Sequence, residues 1–217
     1  MTPAPLFRFQ VQPKDGSNLE IIRLPNACTD ATLRNTLLDR AGAVSQASRD
    51  APSTEVEIVC DNASALTEHA FAALNNEELG KLVKRVTAVR LHGYAAITAY
   101  GLRHMSEYLT SLRAIELPNA IHLGREHVEI LTHNHGLVDV AIPDASQAYE
   151  CAWSLAKLPS LTRLDISWVA LAEEPLRKLL RSRSLRFLAV CSFEISDSVQ
   201  VELEQQHPQC RIEWHRV

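Results

Sequence analysis

From Leu161 the chain repeats one arrangement of apolar positions. With Leu161 counted as offset 1, apolar side chains fall at offsets 1, 4 and 6 (Leu161, Leu164, Ile166) and again at 9 and 11 (Val169, Leu171). Such spacing over a few residues predicts a short strand with one buried face. Glu173, Glu174 and Pro175 then open a helix, and Leu176, Leu179 and Leu180 share one side of it. The pattern restarts with Leu185, Leu188, Val190, Phe193 and Ile195. A strand and a helix recurring at a fixed interval predict stacked units, each burying its apolar face against the next.

Laid along the chain as a ruler, the template starts at Leu19, Glu55, Val86, Leu112, Leu137, Leu161, Leu185 and Gln209. The intervals are 36, 31, 26, 25, 24, 24 and 24 residues. Helices are expected behind the strands: from Thr29-Asp30, from about Thr67, and through Ile97 to Leu109, Val128 to Leu131, Ala152 to Leu158, and Leu176 to Leu180. The polar stretch 45–54 reads as a surface loop. Ahead of the first unit, residues 6–12 alternate Phe7, Phe9 and Val11 with polar neighbours, and Asp15-Gly16 follows as a turn. The expected organisation is one α/β domain over 1–217. It has a cap strand and turn over 1–18, seven strand–helix units over 19–208 and a cap strand over 209–217. Strands joined through a helix must run parallel, because the crossover returns the chain to the same edge.

Apolar offsets 1, 4 and 6, with more near 9 and 11 and a helix behind, resemble leucine-rich repeat proteins. The interval of 24 to 26 residues is similar to that of the ribonuclease-inhibitor-like and cysteine-containing subtypes. The resemblance implies a right-handed β-α solenoid, a horseshoe with parallel strands on the concave face and helices on the convex face. Offset 9 departs from the family, which places Asn or Cys there to bond the turn backbone. Here that offset holds Ala27, Ala63, Tyr94, Ala120, Ala145, Val169 and Phe193, while Asn26, Asn62, Asn119 and Asp144 stand one place earlier. Either these four take over the turn bonds or the turn is built differently.

Composition narrows the partners more than the fold. The formal net charge is −4, with 46% apolar and 22% charged residues. An acidic balance argues against broad binding to nucleic acid or anionic membrane. No run approaches the ~18 apolar residues of a membrane span. The N-terminal stretch lacks the basic start and apolar core of a cleaved secretory signal, so the expected compartment is cytoplasmic. Delivery into a host cell is compatible with this. The five cysteines, Cys28, Cys60, Cys151, Cys191 and Cys210, include no CxxC pair and read as reduced, buried residues. Cys191, at offset 7, is the one expected on the strand face.

The ruler also writes out the columns that face away from the core. Offset 3 reads Ile21, Glu57, Ala88, Ala114, Asp139, Arg163, Phe187 and Arg211. Offset 5 reads Arg23, Val59, Arg90, Glu116, Ala141, Asp165, Ala189 and Glu213. Arg163, Asp165, Trp168, Arg186 and Phe187 fall together on adjacent strands, and Trp, Phe and Arg dominate interface energies. They are the expected partner-binding residues, for an unidentified protein and a monomeric binder. A second cluster, His122, His127, His133 and His135 with Glu126 and Glu129, is dense enough to weigh as a metal site. It lacks HExxH, and His133 and His135 precede Gly136 where a helix end favours cations. No GxSxG, P-loop or GxGxxG is present. The expectation is a non-enzymatic protein-interaction module without cofactor or metal. The alternatives are a metal-dependent hydrolase using the His122–His135 region and a structural subunit of a larger assembly.

Overall fold

The computed structural model describes residues 17–46, 54–67, 69–93 and 96–216. The expected cap strand over 6–12 lies outside these residues. Eight strands form one sheet: β1 (Asn18–Leu24), β2 (Thr54–Cys60), β3 (Val86–Leu91), β4 (Ala114–Glu116), β5 (Asp139–Ala141), β6 (Arg163–Ala170), β7 (Phe187–Cys191) and β8 (Arg211–His215). Their order in the sheet is their order in the chain, and every pairing is parallel. The α-helices are α1 (Asp30–Gln46), α2 (Gly80–Val83), α3 (Ala99–Tyr108), α4 (Arg125–Thr132), α5 (Glu173–Leu180) and α6 (Asp197–Gln206). The fold is α/β, an all-parallel sheet with helical segments between its strands. Among the described residues no helix is long and apolar enough to cross a membrane.

The register reproduces the ruler. Ile21, Glu57, Ala88, Ala114, Asp139, Arg163, Phe187 and Arg211 pair in succession from β1 to β8. Arg23, Val59, Arg90, Glu116, Ala141, Asp165, Ala189 and Glu213 do the same two positions on. Side chains alternate across a sheet, so the offset-4 column between them points the other way. There Ile22, Ile58, Val89, Ile115, Val140, Leu164 and Leu188 are buried in one hydrophobic cluster with Leu33, Leu102, Val128, Leu176 and Leu203 of the helices. Packing of every strand against the helix behind it ties the units together. A large-to-Ala change in that column costs roughly 2–5 kcal/mol.

Two expected helices are not α-helices. Residues 70–83 break into 3-10 turns, Ala70–Asn75 and Glu77–Leu79, before the single α turn of α2. Behind β5 the return is all 3-10, Ser146–Ala148 and Ala152–Lys157. The apolar residues still face inward: Phe71, Leu74, Leu155 and Leu158 are buried. Rise per residue lets the two helix types span the same distance. A six-residue 3-10 segment at ~2.0 Å spans about 12 Å, the length of an eight-residue α-helix at ~1.5 Å. Ala152–Lys157 therefore covers the distance of α4 or α5 with fewer residues.

The turns leaving the strands use offset 8. Asn62 Oδ1 accepts from Ser64 N at 3.2 Å, and Asp144 Oδ2 accepts from Asn119 N of the neighbouring unit at 2.8 Å. Asn119 and Gly93, both at offset 8, have φ of 69° and 75°. Asn and Gly are the residues that enter this left-handed region at least cost. Offset 9 is instead a small slot, with Ala63, Ala120 and Ala145 buried in it.

Candidate functional site

The sheet face opposite the core divides into two regions. In its middle, three arginines and five carboxylates from β2 to β6 neutralise one another. Arg90 reaches from β3 to both neighbouring strands: its Nε donates to Glu57 and its Nη1 to Glu116 Oε2 at 2.5 Å. His92 Nε2 lies 3.1 Å from the second oxygen of Glu116. Arg113 faces Glu55 at 3.8 Å. Arg163 Nη1 donates to Asp139 at 2.9 Å, and its Nη2 lies 3.5 Å from Asp165. Asp165 Oδ1 also accepts from the backbone N–H and hydroxyl of Ser167. Between these residues the face is paved with buried Ala88, Ala114, Ala141 and Ala189.

Burial sets the electrostatics. It would raise the Glu116 carboxyl, but hydrogen bonds from His92 and Arg90 and their charges outweigh it and hold the group at about 2. For Arg90, burial disfavours the charged form, and the bonds to Glu116 and Glu57 reverse that and move its pKa up. At Asp139 burial wins: the carboxyl is pushed up against the attraction of Arg163. Each charge here is held by its neighbours, and a buried pair of this kind is expensive to break from one side.

The C-terminal strands differ. Arg163 lies with its guanidinium carbon 5.1 Å from the centre of the Phe187 ring, a cation–π contact across β6 and β7. Trp168 stands on a bulge. Ile166 pairs with Val190 and Ala170 with Cys191, so three residues of β6 are accommodated where β7 has none. Pro143 O accepts from Trp168 N at 3.0 Å, which anchors the bulge. The indole reaches over the end of β7 to the His215 ring of β8, centroid to centroid 6.0 Å, and remains 48% exposed. Bulges re-aim a side chain in this way. Phe193, just beyond β7, is 75% exposed. It was expected at a core offset, where Ala63, Ala120, Ala145 and Val169 of other units are buried, but the larger phenyl ring stands outward.

Of the five expected site residues, Arg163, Phe187 and Trp168 are placed on the last strands of this face. Asp165 is 2% exposed and committed to Arg163 and Ser167. Arg186 turns away, its Nη1 donating to the carbonyls of Arg183 and Leu185 where the chain enters β7. Cys191, expected on the strand face, is buried beneath the rim. All five cysteines are buried and unbridged. Burial pushes Cys28 and Cys210 up to about 11, the opposite of what a nucleophilic thiolate needs.

The four histidines do not gather at one point, although His122 and His127 line one open groove with Glu126. His127 Nδ1 accepts from Gly124 N at 3.2 Å at the start of α4, and burial lowers its pKa. His133 caps the other end of α4 and His135 is exposed in the turn beyond. Among the described residues no three His, Cys, Asp or Glu side chains are grouped as a metal ion requires. What sequence reasoning missed is the ion-pair network and the exposure of Phe193. The sequence carries a signal for the first, because columns 3 and 5 set Arg90 beside Glu57 and Glu116. No family model matches this chain, and no curated protein matches it.

Proposed function

We propose that this chain is a non-enzymatic protein-binding module, a right-handed horseshoe of the leucine-rich-repeat kind. It holds a protein partner against the C-terminal third of its concave face and the adjoining rim. The observation that carries this is Trp168: a large aromatic held half in solvent by a three-residue bulge, with Phe193 exposed one strand on and Phe187 stacked on Arg163. Core packing gives no return for that arrangement. An aromatic anchor beside a partly desolvated arginine is the composition of an interface hot spot. The middle of the face supports the same placement from the other side. Its charges are already paired, so a partner docking there would have to replace bonds rather than add them.

The test is affinity capture with the full chain as bait, followed by titration of the captured protein in purified form. Trp168→Ala/Phe187→Ala/Phe193→Ala is the comparison bait, its folding checked by circular dichroism. A partner bound by the wild type and weakened by thirtyfold or more in the variant, about 2 kcal/mol, is the expected result. Equal affinity for both baits overturns the placement.

A further inference from the structure

Because all eight strands are parallel, every strand begins at one edge of the sheet and ends at the other. Charge divides between these edges. The connections entering the strands, residues 80–87, 108–114, 131–138, 156–163, 180–187 and 205–211, contain no Asp or Glu. Around the exits, residues 61–67, 117–126, 142–150, 167–174 and 192–198, Arg125 is the one Lys or Arg, against Asp61, Asp144, Glu173 and Asp197 among others.

The entry edge also gathers cations that have no carboxylate partner among the described residues, although Lys157 lies over the Trp153 ring and Arg186 donates to backbone carbonyls. Lys84, Lys157, Arg181, Arg183 and Arg186 are exposed and Arg85 half-buried. None of the six forms an ion pair among the described residues, whereas Arg90, Arg113, Arg163 and Arg177 all do. The helix dipole accounts for a cation in the last turn, as with Arg181 at the end of α5. Its influence fades within that turn, so it gives no reason for Arg85, Arg183 and Arg186.

The edge is continuous. Arg113 N bonds to Thr87 O, Val138 N to Arg113 O, Thr162 N to Val138 O, Arg186 N to Thr162 O and Arg211 N to Arg186 O, at 2.7 to 2.9 Å. At ~4.8 Å per strand, the row from β3 to β8 is about 24 Å long. An extended peptide of roughly seven residues covers that distance. At one end is a groove of about 520 Å³ lined by Lys84, Arg85 and Arg113 with the hydroxyl residues Thr87, Thr110 and Ser111; its one carboxylate, Glu55, faces Arg113.

We propose that this strand-entry edge is a second interaction surface, which takes an extended acidic segment of a protein. It is separate from the aromatic site at the exits and does not rest on it. A peptide is favoured over single-stranded nucleic acid by what the edge lacks. Stacking platforms for bases are aromatic, and the exposed aromatics Tyr100, Tyr149, Trp168 and Phe193 all stand near strand exits or helix starts. The acidic exit edge would repel a long polyanion as well.

The experiment is fluorescence anisotropy with a labelled deca-glutamate peptide at low ionic strength, about 20 mM, using the full chain. The wild type is expected to bind saturably and to lose affinity as salt rises. Lys84→Glu/Arg181→Glu/Arg183→Glu is expected to bind about tenfold more weakly or worse. The neutral Lys84→Gln/Arg181→Gln/Arg183→Gln variant should fall between the two, which separates charge from misfolding, and circular dichroism should match the wild type for both. Trp168→Ala/Phe193→Ala should bind the peptide unchanged. Absence of saturable binding by the wild type, equal binding by the charge-reversed variant, or tighter binding of a labelled deca-thymidylate than of the peptide would each overturn the proposal.

Discussion

The middle of the sheet face and its last three strands occupy the same two register columns, yet they use them in opposite ways. From β2 to β5 the columns hold alanines and a chain of arginines and carboxylates that satisfy one another. The paired charges end on β6 with Arg163 and Asp165; on β7 and β8 the columns hold Phe187, Ala189, Arg211 and Glu213, while Trp168 and Phe193 project at the exit rim. One scaffold position can therefore serve cohesion or display, and the side chain installed there decides which. Where every charge already has its counter-charge, removing a group should damage the fold. Where apolar area is left in water, removing it should spare the fold and damage recognition.

The sharpest way to break that contrast is Arg90→Met. It strips the counter-charge from Glu57 and Glu116 together and is expected to cost about 3–5 kcal/mol, read from chemical denaturation. Glu116→Gln should cost less, roughly 3 kcal/mol at neutral pH from the depression of its carboxyl from 4.5 to about 2. The sign follows from that direction. The folded carboxyl gives up its proton more readily than the unfolded one, so its contribution is complete above about pH 4.5 and is lost as pH falls toward 2. Wild-type denaturation midpoints should decline across that window, and the Gln variant should decline less steeply. On the display side, Trp168→Ala is expected to change stability by less than about 1 kcal/mol while carrying much of the thirtyfold loss of partner affinity. Smallest of all, Arg125→Ala removes a fully exposed i,i+4 pair with Glu129 and should leave the melting temperature where it was. A large loss from Trp168→Ala, or none from Arg90→Met, would erase the distinction.

Much of this architecture is legible in the sequence because strand position is encoded twice, by a fixed interval and by apolar offsets. Leu164 and Leu188 announce both their own strands and their mutual pairing, and all eight members of each outward column pair as the ruler sets them. Helix type was less legible. The residues behind β5 keep their apolar spacing, yet the return is 3-10 there and α behind β6, although both units are 24 residues long. Phe193 misled for a related reason. An apolar residue at an apolar offset reads as core, and the template carries no measure of slot volume. Arg186 shows a further limit: it stands just ahead of β7, and its long flexible side chain turns to backbone carbonyls outside the strand. The bulge that presents Trp168 has no counterpart in the repeat and could not be extrapolated from it.

Sequential strand order also fixes how the molecule should yield to force. Each strand is hydrogen-bonded only to the strands before and after it and packs on the helical segments behind, and tension applied at the chain ends acts first on the outermost. Strands then peel from the sheet in series instead of the whole structure giving way at once. Each step from the C-terminal side would free a unit of 24 residues, roughly 80 Å of contour length. A trace of force against extension would be a staircase, and the height of each riser would measure the grip of one unit on the next.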